Sequence, residues 1–121
     1  MVKGIFIDNT PLVKIAVGWE QSIRTPLVVL DTGFTGDLVL TSKLAKELGL
    51  KIVGVTPIQI ANGDVVEAQV ALALVSMEGF VNQIEVLISE SIPVIGISFL
   101  SKFGYKVIVD CKNRNIELEK V

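Results

Sequence analysis

The chain has 121 residues, half of them hydrophobic, a net charge of −2 and no histidine. That length fits one domain, residues 1–121, with a full core. Charges of both signs are interspersed without a basic stripe, which argues against a nucleic-acid partner. The missing histidine excludes Ser-His and Cys-His catalysis and any histidine-bearing zinc site. Carboxylates, hydroxyls, lysine or backbone remain for any chemistry, and no metal or cofactor is expected.

No apolar run approaches the ~18 residues of a membrane helix, and the N-terminus lacks the pattern of a signal peptide. Cys111 is the one cysteine, so no internal disulfide forms. These features predict a cytoplasmic protein without membrane attachment. The surplus of apolar residues fits strands buried on both faces, or an oligomer interface.

In chain order, Ile5, Ile7 and the cluster from Leu12 to Val17 read as β-rich segments, with a turn at Asn9-Thr10-Pro11. A second turn falls at Gly18-Trp19-Glu20-Gln21-Ser22. Pro26 stands at a strand entry, where a missing N–H is tolerated. The next strand, Leu27-Val28-Val29-Leu30, delivers Asp31 to a glycine-flanked turn, and Leu38-Val39-Leu40 leaves it. Thr41-Ser42 caps a helix over 43–48. Leu44 and Leu48 share one face, Lys43 and Glu47 are spaced to pair, and Gly49 ends it.

Residues 52–60 return to strand character. Asn62-Gly63 then predicts a hairpin tip with a type I′ turn. A strand pair follows over 70–77 and 80–88, around Glu78-Gly79. Ile92-Pro93-Val94-Ile95-Gly96 is an apolar strand ending at a glycine. Residues 98–103 form one or two helical turns, and residues 106–119 a last hairpin. The total, roughly eight or nine strands with one or two short helices, predicts an all-β fold: a small closed or partly open β-barrel.

Asp8, Asp64 and Asp110 lie among turn formers and read as solvated turn residues. Asp37 reads as turn-stabilising or exposed. Only Asp31 follows a four-residue apolar strand and precedes Thr32-Gly33. A buried-looking strand that ends in a carboxylate makes either a structural turn or a catalytic acid. Hydrolysis by carboxylates alone needs a pair, one ionised and one protonated, as in the aspartic-protease dyad that is the standard case of such coupling. The sequence holds one Asp-Thr-Gly, so a pair requires two chains about a twofold axis.

Val28-Val29-Leu30-Asp31-Thr32-Gly33 resembles the catalytic motif of the retroviral-type (retropepsin-like) aspartic proteases. Pro93-Val94-Ile95-Gly96-Ile97-Ser98-Phe99-Leu100 is similar to their second signature, and the hairpin at Asn62-Gly63 stands between the two in the order of that family. The form Asp31-Thr32-Gly33-Phe34-Thr35-Gly36 looks most like the small bacterial and archaeal members. The resemblance implies a homodimeric aspartic endopeptidase acting on a peptide or protein substrate. Asp31 from each chain is then catalytic, and Thr32 hydrogen-bonds across the dyad. Gly33 makes backbone hydrogen bonds around substrate. Ala61, Asn62, Gly63 and Asp64 form the flap tip, and Gly96 lets its strand pack beneath the loop. The alternative is the same fold as a catalytically silent dimerisation or peptide-binding module. Many viral members carry an acid two positions after the motif glycine and an arginine after the second-signature glycine. Thr35 and Ile97 occupy those places here, so that ion pair has no counterpart.

Overall fold

The computed structural model describes residues 1–60 and 62–121. It is a strand-rich fold with two short helices. In chain order the elements are β1 (Val2–Ile7), β2 (Thr10–Lys14), β3 (Ala16–Trp19), β4 (Ser22–Arg24), β5 (Leu27–Leu30), β6 (Leu38–Leu40), α1 (Ser42–Leu48), β7 (Ile52–Gln59), β8 (Val65–Met77), β9 (Phe80–Ile88), β10 (Val94–Ile95), α2 (Ile97–Lys102), β11 (Tyr105–Asp110) and β12 (Asn115–Lys120). Among the described residues the 12 strands exceed the eight or nine expected, because the N-terminal third breaks into short pieces at two tight turns.

The strands form one sheet in the order β11-β12-β1-β2-β5-β10-β6-β9-β8-β3-β4, with β7 added to β8. This is the open form of the expected all-β architecture. The sheet curls around a shared core: Val17 from β3 near one end and Leu118 from β12 near the other belong to the same buried cluster. At its centre, β10 runs parallel to β5 and antiparallel to β6, and β6 runs parallel to β9. On these central strands Val28, Leu30, Leu38, Leu40 and Ile95 are buried in the core, while Val29, Val39 and Val94 on the other face are only partly covered.

The turns differ in detail from the sequence reading. Pro11 lies inside β2 opposite Phe6, so the first turn is Asp8-Asn9, with Asp8 at φ 52°. The turn with two positive φ values is Glu78-Gly79 (52° and 84°), between Met77 and Phe80. At the β7–β8 hairpin the reading of a type I′ turn on Asn62-Gly63 fails. Gly63 has φ 90° and its N–H donates to Ile60 O, while Ile60 N donates to Asp64 O, so the hairpin closes on Ile60 and Asp64. The Asn62 Oδ1 accepts the Asp64 N–H at 2.9 Å. That local bond offers the backbone an alternative to the two-residue turn.

Helix α1 is capped as its sequence dictates. Thr41 accepts the Leu44 N–H at 3.2 Å, and Gly49 ends the helix at φ 72°. Its buried residues are Ala45 and Leu48, with Leu44 only partly covered. Glu47 faces Arg24 across 3.6 Å rather than Lys43 along the helix.

Candidate active site

Asp31 follows β5 directly and continues its ladder. Val29 N donates to Pro93 O at 2.9 Å, and Asp31 N donates to Ile95 O at 3.1 Å. Successive side chains of a strand alternate in face. Val28 and Leu30 therefore enter the core, while Val29 and Asp31 share the other face, on which Asp31 is exposed. The sequence forces this placement: a carboxylate at the next inward position would be buried without compensation.

The chain orients one oxygen of this carboxylate. Asp31 Oδ1 accepts the Gly33 N–H at 2.9 Å, and Phe34 N closes the turn onto Asp31 O at 3.2 Å. A β-carbon on Gly33 would stand 3.1 Å from that same oxygen, a tight approach. The Gly33 N–H is thus engaged by Asp31 itself. Thr32 is exposed beside it.

The loop rests on Gly96 and the first turn of α2. Gly96 N donates to Asp37 O at 3.0 Å, Ile97 N to Phe34 O at 2.9 Å, and Ser98 N to Gly36 O at 3.2 Å. A β-carbon on Gly96 would lie 2.4 Å from Phe34 O and 2.5 Å from Gly36 O. Only glycine lets the two segments approach this closely. Three successive N–H groups meet the loop carbonyls, so the loop shape is set by backbone bonds.

Asp37 corrects the sequence reading. It is 5 % exposed, the one buried charged residue among those described. Its Oδ2 accepts from Lys102 Nζ at 2.5 Å and from Glu85 N at 3.0 Å. Burial pushes this carboxyl up. The Lys102 hydrogen bond, the nearby Ser98 hydroxyl and the Glu85 N–H outweigh that and hold it below its ordinary value. The Ser98 hydroxyl completes no hydrogen bond to the carboxylate in the contacts described, and Oδ1 is left without a partner. The viral ion-pair positions are indeed uncharged here, with Thr35 and Ile97 both exposed. A different pair, Asp37–Lys102, braces the loop from beneath. The signal in the sequence was an aspartate abutting an apolar strand, but nothing along the chain named its partner.

At the β7–β8 hairpin, Ile60 N donates to Asp64 O and Gly63 N to Ile60 O, both at 2.9 Å. Asn62 Nδ2 donates to Asp64 Oδ2 at 3.0 Å. Asn62, Gly63 and Asp64 thus form a self-bonded tip. Ala61, the fourth expected tip residue, lies outside the described residues. The fold brings Asp31, Thr32, Gly33 and Gly96 together, while the tip stands on a separate hairpin. Among the described residues no three histidine, cysteine or acidic side chains cluster as metal ligands, and no helix is long and apolar enough to cross a membrane.

A family model described as aspartyl protease matches residues 20–99. The solved structure of EIAV protease complexed with the inhibitor HBY-793 is similar in fold, with a TM-score of 0.66 at 20 % identity. The match covers 84 % of this chain and 95 % of that one. A search of curated proteins gave no match. The matched segment holds the Asp31 loop, the β7–β8 hairpin and the Gly96 strand, and the fold is retropepsin-like.

Proposed function

From the premise that this chain belongs to the aspartyl protease family, we propose that it is a homodimeric aspartic endopeptidase. The observation that carries this reading is the Asp31 carboxylate. It is exposed, held at one oxygen by Gly33, and mounted on a loop fixed by Gly96 and α2. One chain supplies one such carboxylate, so the active site is shared between two copies about a twofold axis.

Two Asp31 carboxyls in contact share one proton, because neighbouring like charges cannot both ionise. The ionised Asp31 takes a proton from a water held between them. The water oxygen attacks the peptide carbonyl carbon while the protonated Asp31 gives its proton to the carbonyl oxygen. The tetrahedral intermediate collapses, the C–N bond breaks, and a proton passes to the leaving amine. Thr32 ties the two loops together, and the tip at Ala61, Asn62, Gly63 and Asp64 closes over substrate.

The test pairs cleavage of a peptide library between about pH 4 and pH 7 with sedimentation, for the wild type and Asp31→Asn. Cleavage by the wild type alone, from a dimeric species, is expected. Equal cleavage by both proteins, or a strict monomer at working concentration, would contradict the proposal. A dimer that binds peptides but leaves them intact would instead support a silent binding module.

A further inference from the structure

We infer that substrate runs off the Asp31 site onto the outer face of β1, β2 and β5, into a groove that selects an apolar residue next to an acidic one. This rests on the proteolytic reading above and names a substrate class for it.

The argument starts from alternation. Leu27, Val29 and Asp31 share the outward face, since Val28 and Leu30 point into the core and the ladder continues through Asp31 N. On β2, Leu12 lies opposite Val29 and Lys14 opposite Leu27. On β1, Ile5 lies opposite Leu12, with Lys3 two positions away on the same face. These side chains surround a groove of about 390 Å³ lined by Lys3, Gly4, Ile5, Leu12, Lys14 and Leu27.

A single exposed leucine needs no explanation. Here Ile5 and Leu27, 47 % and 41 % exposed, flank a half-buried Leu12 in one concavity. The same outward face continues beyond this concavity through Val29, opposite Leu12, to the candidate catalytic carboxylate. An apolar surface contiguous with an active-site strand is a binding surface.

The charges give the second half of the specificity. Both titratable groups lining the groove are lysines, and no acid lines it. Lys3 has Glu117 opposite it on β12, which offsets part of its charge. Lys14 has the apolar Leu27 opposite it, so its ammonium is the principal attraction for an anionic side chain.

The spacing fixes the register. Leu27 precedes Asp31 by four residues, or about 13 Å at ~3.3 Å per residue. An extended peptide advances at the same rate, so the groove meets a residue about four positions from the scissile bond. A twofold dimer offers one groove on each side, so the preference falls on both sides of the cut.

The test compares peptides with an apolar residue and a glutamate at that distance, against the same peptides with glutamine or lysine. The glutamate peptide is expected to show kcat/KM about two- to fivefold above the glutamine peptide, as one exposed charge pair permits, and less in high salt. Lys14→Glu is expected to reverse the preference towards the lysine peptide. Equal cleavage of all three, or a preference that Lys14→Glu leaves unchanged, would overturn the inference. A binding arm uses Asp31→Asn protein, an uncleavable glutamate peptide and amide NMR shifts. If the wild type cleaves nothing, the proteolytic reading fails and this arm decides alone. Shifts at Ile5, Leu12 and Leu27 sustain the groove, and their absence removes it. Sedimentation of Leu27→Ser guards against a second copy as occupant: dissociation of a dimer would make the groove a subunit contact and overturn the assignment.

Discussion

Asp37 and Lys102, 65 residues apart in the chain, meet with Nζ 2.5 Å from Oδ2. The pair joins the end of the Asp31 loop to the last turn of α2. The Asp37 side chain is 3 % exposed and that of Lys102 is 42 % exposed. The contact therefore lies between a surface ion pair, worth little, and a buried one, where losing one partner is severe.

Lys102→Met is expected to destabilise the fold by about 1–3 kcal/mol, because it strands a desolvated carboxylate. Asp37→Asn should cost less, since the amide oxygen still accepts the Glu85 N–H. The double variant should cost less than the sum of the two. Urea unfolding of all four proteins measures this, and strict additivity would show that the pair is not coupled.

The same carboxyl gives a pH signature. Its folded value lies below the ordinary 3.8, so the unfolded state binds the proton more readily. The stability it contributes is fully present above the unfolded value and is lost as pH falls through the folded one. Two further acids act in the same direction. Glu78 is lowered by the Met1 amino group and then Tyr105, and Asp110 by the Asn113 N–H and then its side-chain amide. Both remain in Asp37→Asn, so the difference between the proteins isolates Asp37. Between about pH 5 and pH 2 the wild type should lose more stability than Asp37→Asn; parallel urea midpoints across that range would refute the assignment.

The glycines are expected to rank by what surrounds them. Gly96→Ala forces a β-carbon to 2.4 Å from a backbone oxygen, and should cost about 3 kcal/mol or prevent folding. Gly36→Ala meets the Phe34 ring at 2.6 Å; a ring can turn aside, so about 1–2 kcal/mol is expected. Gly54→Ala meets nothing within 4 Å and should stay within about 0.5 kcal/mol of wild type. Thermal or urea unfolding gives the order directly.

At the hairpin tip, Gly63→Ala places a β-carbon at φ 90°, with an expected local cost of about 1–3 kcal/mol. Because the tip bonds only within itself and to Gln59 and Ile60 of the same hairpin in the contacts described, the cost should appear as faster amide exchange at Gly63 and Asp64, with the core unaffected. Unchanged exchange there would mean that the tip is not held in this conformation.

Much of this was legible in the sequence because it depends on neighbours along the chain. The apolar run of β5 and the glycines after it marked Asp31 as a carboxylate delivered to a turn. Thr41 and Gly49 bounded α1 through their own caps, and Gly96 marked the strand before α2. Side-chain period and local hydrogen bonding set such features within a few residues. The tip was half legible: Asn62-Gly63 marked a reversal, but the turn type depended on whether the Asn62 side chain took the Asp64 N–H.

The tertiary structure alone decided what depends on distant partners. Asp37 read as turn-stabilising or exposed, and is a buried anion because Lys102 and Glu85 N converge on it from two other elements. The groove on β1, β2 and β5 exists because three strands, two of them joined by a hairpin, align Ile5, Leu12 and Leu27 on one face. Sequence separation hides such pairings, since desolvation and Coulomb attraction act through space and depend on where the sheet order places each side chain. Asp31 itself needs both levels: the chain determines that it is presented, and the fold determines what holds it there.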